Sequence, residues 1–143
     1  MAIIAIDFDG TCTSHEFPKV GKDIGAVPVL KELIENEHKL ILFTMRCDHS
    51  EDFKMTGQSD IVAIKGKYLT DAVNWFKDND IPLYGIQTNP TQHTWTTSPK
   101  CFVGLYIDDS ALGCPLKIDR NISDNSFVDW KEVRKLLIEK NYI

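Results

Sequence analysis

Four aspartates carry the strongest chemical signal in this 143-residue chain. Asp7 and Asp9 sit in Asp7-Phe8-Asp9-Gly10-Thr11, directly after the apolar run 2–6, and Asp108-Asp109 follows the largely apolar stretch 101–107. Between them Leu40-Ile41-Leu42-Phe43 ends in Thr44-Met45-Arg46, and Lys100 stands just before residue 101. Two carboxylates about 5 Å apart repel by roughly 3 kcal/mol at an effective dielectric near 20. Four at one edge therefore call for a compensating cation. Hard oxygen ligands of this kind, with a phosphate completing the shell, suit Mg²⁺. A lysine and a threonine hydroxyl suit phosphoryl oxygens. The set favours phosphoryl transfer.

Each element taken alone has a plainer reading. Asp9-Gly10 after an apolar run is a hairpin signal, but no alternating strand follows to complete the hairpin. A calcium loop fails because its glycine comes too early and Pro18 stands where the bidentate Glu belongs. Thr44 alone reads as a cap or strand end, Lys100 as a solvated side chain, and Asp108-Asp109 as the start of a turn. Their conjunction is much harder to reach by chance. His15, Cys47, His49 and His93 match no zinc spacing and read as scattered loop residues. Trp95, between Thr94 and Thr96, reads as a partly buried loop anchor rather than a stacking platform.

The elements that must position these residues follow from two periods. Unbroken apolar runs suit strands buried on both faces, as in a parallel sheet under helices. A weaker strand is expected at 83–86, and residues 116–118 add another. Pro28 fits the first turn of a helix with Val27, Leu30 and Ile34 on one face. Leu69, Ala72, Val73 and Phe76 follow the helical template, ended by Asn79-Asp80. Near the C-terminus Asp129 caps a helix with Glu132 as its reciprocal partner and Trp130, Val133 and Leu137 as its buried stripe. Alternation of this kind predicts an α/β fold with right-handed crossovers and a mainly parallel sheet. In such a sheet Asp7, Asp9, Thr44, Asp108 and Asp109 converge at one edge, whereas Lys100 must be brought there by its loop. Three irregular segments, 11–25, 46–65 and 88–99, start at that edge, where ligands bind.

Composition bounds the rest. With 43% apolar and 26% charged residues the chain is expected to form one globular domain over 1–143. A net charge of −5 and a pI near 5.3 give no footprint for nucleic acid or an acidic membrane. No apolar stretch approaches a membrane span, and Asp7 interrupts the first run too early for a signal peptide. Cys12, Cys47, Cys101 and Cys114 form no compact framework and read as reduced thiols of a cytoplasmic protein.

The chain closely resembles the haloacid dehalogenase superfamily of phosphohydrolases. The resemblance rests on four ordered elements: a strand running into Asp7-Phe8-Asp9-Gly10-Thr11, a strand ending in Thr44, Lys100, and a strand ending in Asp108-Asp109. It implies a Rossmann-like, doubly wound, mainly parallel sheet with helices on both faces. It implies Asp7 as the nucleophile that forms an aspartyl-phosphate, and Asp9 as general acid and then base. Thr44, Met45 and Lys100 would bind the phosphoryl group. Asp7, Asp9 (through its carbonyl), Asp108 and Asp109 would hold Mg²⁺. The chain has no room for a large folded cap between these elements, so it resembles a capless or minimal-cap member. Capless members of that family often take bulky substrates, but the acidic balance of this chain leads to the expectation of a small phosphorylated metabolite or nucleotide, with Arg46 placed to touch a substrate anion or to form a surface salt bridge. Two alternatives come from other classes: a receiver-like phospho-acceptor domain, disfavoured because the third strand ends near Gln87-Thr88 without a carboxylate, and a non-catalytic phosphate-binding module.

Overall fold

Segments such as Ile3-Ile4-Ala5-Ile6 and Leu40-Ile41-Leu42 carry no polar side chain to turn toward water, and nearly all of these residues are buried. The computed structural model describes residues 1–54 and 61–143. Its elements run β1 (Ile3–Ile6), α1 (Ala26–Glu35), β2 (Lys39–Leu42), β3 (Asp48–His49), β4 (Phe53–Lys54), β5 (Ile61–Ala63), β6 (Gly66–Lys67) and α2 (Tyr68–Asp78). There follow β7 (Gly85–Ile86), a 3₁₀ turn at Gln92–Thr94, β8 (Leu105–Ile107), β9 (Leu116–Lys117), β10 (Phe127–Val128) and α3 (Trp130–Glu139).

Strands β7, β2, β1 and β8 form one sheet in that order, and all three pairings are parallel. The chain moves outward from β1 through α1 and α2, then returns to the far side of β1. The order therefore reverses between β1 and β8, the place where open parallel sheets bind ligands beyond their carboxyl ends. The expected α/β fold is present. Residues 116–118 add nothing to this sheet, because β9 pairs antiparallel with β10 outside it.

The second layer of helices is not seen among the described residues. Ile4, Ile6, Leu40, Leu42 and Ile107 join the buried residues of all three helices in one cluster. Ala5 and Ile41, which alternate to the opposite face, are equally buried but stand outside that cluster. An irregular segment after β7 lies there instead. A Cβ on Gly85, level with Ile41, would strike the Thr88 carbonyl and Pro90.

Local chemistry explains where elements stop. Of the run 101–107 only Leu105–Ile107 pairs as strand. Phe102 instead gives its carbonyl to the Asn89 side-chain amide (2.9 Å) and its N–H to Gln92 Oε1 (2.9 Å). The stripe of α1 is Ala26, Val29, Leu30 and Leu33, with Val27 and Ile34 at its margin. Helix α2 buries Ala72 and Phe76 as expected and ends at Asn79, after which Asp80 turns left-handed (φ 56). In α3 the Asp129 carboxylate accepts from the N–H groups of Lys131 and Glu132, and Trp130, Val133 and Leu137 are buried. The reciprocal bond is absent, because Asp129 donates its own N–H to the Pro115 carbonyl and Glu132 pairs with Lys135.

The segment 46–65 holds more order than its polarity suggests. Strand β3 pairs with β6 and β4 with β5, both antiparallel, forming an arm between β2 and α2. Asp48 ties the base of the arm to α2 by accepting from the N–H (3.0 Å) and hydroxyl (2.6 Å) of Thr70. Part of the predicted loop, residues 55–60, lies outside the described residues. Among the described residues no helix is long and apolar enough to cross a membrane.

Candidate functional site

Sheet register delivers the acids. Ile6 lies opposite Ile107, and the Asp7 N–H extends that ladder to the Ile107 carbonyl (3.0 Å). Asp7 and Asp108 thus leave adjacent strands side by side. One carboxylate oxygen from each of Asp7, Asp108 and Asp109 lies within 4.8 Å of the others. Gly10 makes room for this approach. A Cβ there would sit 2.4 Å from Asp109 Oδ2, and its φ of +79° favours glycine as well. The Thr11 hydroxyl then joins the two strand ends, donating to Asp7 Oδ2 (2.8 Å) and accepting from the Asp109 N–H (3.0 Å). The Thr11 carbonyl accepts from the buried indole N–H of Trp130 (2.7 Å), which anchors the turn to α3.

Electrostatics follow from this crowding. Burial pushes the Asp7 carboxyl up from 3.8 to about 7, and the neighbouring charges of Asp108 and Asp109 add to the rise while the Thr11 hydroxyl opposes it. Burial also raises Asp109, with Asp108 adding to the effect and Asp7 and His15 opposing it. Three carboxylates gathered this closely form a donor set that fits a divalent cation, whose charge offsets theirs. Asp7, Asp108 and Asp109 could supply its carboxylate ligands.

Asp9 belongs to a different interaction. Its two oxygens accept from Arg46 Nε and Nη2, both at 2.7 Å. Arg46 Nη2 also donates to the Lys19 carbonyl (2.8 Å), and Nη1 to the carbonyls of Tyr68 (3.2 Å) and Pro18 (3.4 Å). Its guanidinium lies 4.9 Å from the Phe8 ring centroid and 5.2 Å from that of Phe17. With 2% of Arg46 exposed, this is a buried clamp that joins Asp9, the segment 11–25 and the start of α2. It is neither the surface salt bridge nor the open anion contact expected from sequence. Every guanidinium donor already has a partner.

A cavity of about 610 Å³ opens over the acids, and every predicted site residue except Lys100 lines it. Thr44 reaches it with its backbone held by Gln87. The Gln87 side chain accepts from the Thr44 N–H (2.9 Å) and donates to the carbonyls of Thr44 (2.6 Å) and Arg46 (3.1 Å). The Thr44 hydroxyl accepts from the Arg46 N–H (3.1 Å), and Met45 is fully exposed beside it. Lys100 is exposed and lines a separate depression of about 410 Å³ with Trp95, Phe102 and Tyr106. Gln92 explains its position, because its amide holds the carbonyls of Ser98 (3.2 Å) and Lys100 (3.0 Å). The loop therefore does not carry Lys100 to the acids.

Three contributors escaped the sequence reading: the Thr11 hydroxyl, the Gln87 amide and Arg46 as a clamp. Thr11 lay inside a recognised motif, and Gln87 had only its place after the third strand as a signal. His15, Cys47 and His49 come together along the acid cavity, with Cys47 Sγ 3.1 Å from His49 Nε2, while His93 lies in the 3₁₀ turn. Among the described residues, the aspartates are the set of three or more with ligand atoms close enough to hold one ion. Trp95 is 62% exposed, with its ring against Phe102, so it is no buried anchor.

No protein-family model matches the chain, and no curated protein matches it. It is similar to a solved structure of a conserved protein coded by a locus of Bacteroides thetaiotaomicron, with 28% identity and a TM-score of 0.68. The similarity covers 97% of this chain and 91% of that one.

Proposed function

We propose that the chain is a phosphohydrolase of the haloacid dehalogenase type, a Mg²⁺-dependent phosphatase acting on small phosphorylated molecules. The observation that carries this reading is the meeting of Asp7, Asp108 and Asp109 at the carboxyl edge of a parallel sheet, where the strand order reverses. Mg²⁺ bound by these three would neutralise the crowded charge and polarise the phosphoryl oxygens.

The chain's own residues supply the remaining steps. Thr11 fixes Asp7 by its Oδ2, so an Asp7 oxygen is positioned to attack phosphorus as the ester oxygen departs. The Thr44 hydroxyl, on a backbone braced by Gln87, is the donor available to the phosphoryl oxygens. Asp9 is the remaining carboxylate for proton transfer to the leaving oxygen and from the attacking water. Both its oxygens rest on Arg46, so that transfer requires one of two 2.7 Å hydrogen bonds to open. Lys100, placed elsewhere, has no part in this scheme.

Purified protein is expected to release phosphate from an aryl phosphate only with Mg²⁺ present, and Asp7→Asn is expected to abolish the release. Turnover that survives in Asp7→Asn removes the nucleophile. Stable self-phosphorylation from a small phosphodonor without turnover returns the receiver-like reading.

A further inference from the structure

Resting on the phosphohydrolase reading, we propose that the site takes phosphomonoesters whose leaving group carries a flat, uncharged ring, and that Phe17 is the residue that selects it. The first support is what the cavity lacks. Among its described lining residues Arg46 is the sole Lys or Arg, and its N–H groups are spent on Asp9 and on the carbonyls of Pro18, Lys19 and Tyr68. Three aspartates, Asp7, Asp108 and Asp109, line the cavity without a lysine or arginine partner among the described residues. A substrate with a second anionic group, such as a carboxylate or another phosphate, meets repulsion here with no free lysine or arginine among the described lining residues to offset it. The described lining also contains no Asn or Gln, the amides suited to a polyhydroxylated sugar.

The second support is what the cavity offers. Phe17 lines it and is 44% exposed, yet its ring is held on two sides. The Arg46 guanidinium sits 5.2 Å from the ring centroid, and the Tyr68 ring packs at 5.2 Å with a 60° tilt. Arg46 also holds the next residue through the Pro18 carbonyl. An exposed aromatic ring fixed in this way is a preorganised platform, so it loses little conformational freedom when a planar group stacks on it. Met45, 96% exposed on the same cavity, supplies a polarizable apolar neighbour. A phosphoryl group over the acids with a ring reaching toward Phe17 and Met45 uses each of these surfaces.

The test compares benzyl phosphate with ethyl phosphate under saturating Mg²⁺, because both esters release a primary alkoxide and differ in the ring. The wild-type chain is expected to show roughly tenfold higher kcat/KM for the benzyl ester, chiefly through a lower KM. Phe17→Ala is expected to shrink that ratio to about twofold or less. Phe17→Leu, which keeps apolar bulk against Tyr68, is expected to shrink it similarly, with melting temperature confirming the fold. Equal kcat/KM for the two esters in the wild type, or a preference that persists in both variants, overturns the assignment to Phe17 and leaves the phosphatase reading standing. Absence of Mg²⁺-dependent phosphate release from either ester overturns the phosphatase reading and this inference together.

Discussion

Replacing Asp7 by Asn should make the metal-free protein more stable at alkaline pH, although it removes a residue from the site. The unfolded Asp7 carboxyl titrates near 3.8, whereas burial beside Asp108 and Asp109 lifts the folded value to about 7. Between those values the folded chain binds more protons than the unfolded one, so stability falls as pH rises through the window. At 1.36 kcal/mol per pKa unit, the loss from Asp7 is about 2 kcal/mol at pH 5 and about 4 kcal/mol at pH 8. Asn cannot ionise, and its side-chain oxygen still accepts from Thr11. The stability advantage of Asp7→Asn over wild type is therefore expected to grow by about 2–3 kcal/mol from pH 5 to pH 8. Urea unfolding in the presence of a chelator measures it, since guanidinium would screen the charges. A difference that stays flat with pH, or a wild type more stable at pH 8, would refute the argument that burial, aided by the neighbouring acids, keeps the folded Asp7 carboxyl protonated.

Other outcomes follow from the same geometry. Mg²⁺ at a hundredfold over its dissociation constant should stabilise the wild type by about 2.7 kcal/mol at pH 8, with little effect on Asp7→Asn or Asp108→Asn, as read from thermal melts. Competition between protons and metal makes that gain smaller at pH 5. Arg46→Ala should cost about 3–5 kcal/mol because it leaves Asp9 buried without its partner. The Arg46→Ala/Asp9→Ala double variant should lose less than the sum of the single losses in urea unfolding. Lys100→Ala should lower kcat/KM on a small phosphate ester by less than about tenfold, against a hundredfold or more for Asp7→Asn. An equal loss in the two would bring Lys100 back to the phosphoryl group.

How far the sequence could be read varied with the kind of signal. Strands β1 and β2 were legible because every residue between Ile3 and Ile6, and between Leu40 and Leu42, is apolar, and α2 and α3 because their stripes repeat at helical spacing. The convergence of Asp7, Asp108 and Asp109 followed from strand parallelism alone. The start of the run 101–107 was not legible, because the side-chain amides of Asn89 and Gln92 take the place of a sheet partner there. The same amides explain why Lys100 stays away from the acids. Local pattern did not anticipate that one face of the sheet packs on an irregular segment, since Ala5 and Ile41 look alike whatever covers them. Arg46 was recognised as well placed, but five donors finding five acceptors from three distant segments is a property of the folded chain only. The arm was missed because each of its strands spans only two or three residues.

The arm's attachment has a consequence for how such a protein could diversify. It leaves and rejoins the sheet-and-helix body at two antiparallel pairs, Asp48 against Lys67 and His49 against Gly66, and Asp48 rivets that pairing to Thr70. Insertions or deletions beyond this pairing would lengthen or shorten the arm without shifting Thr44 on one side or Tyr68 on the other. Lineages could then exchange their molecular diet by editing a peripheral appendage while the acidic centre stays untouched.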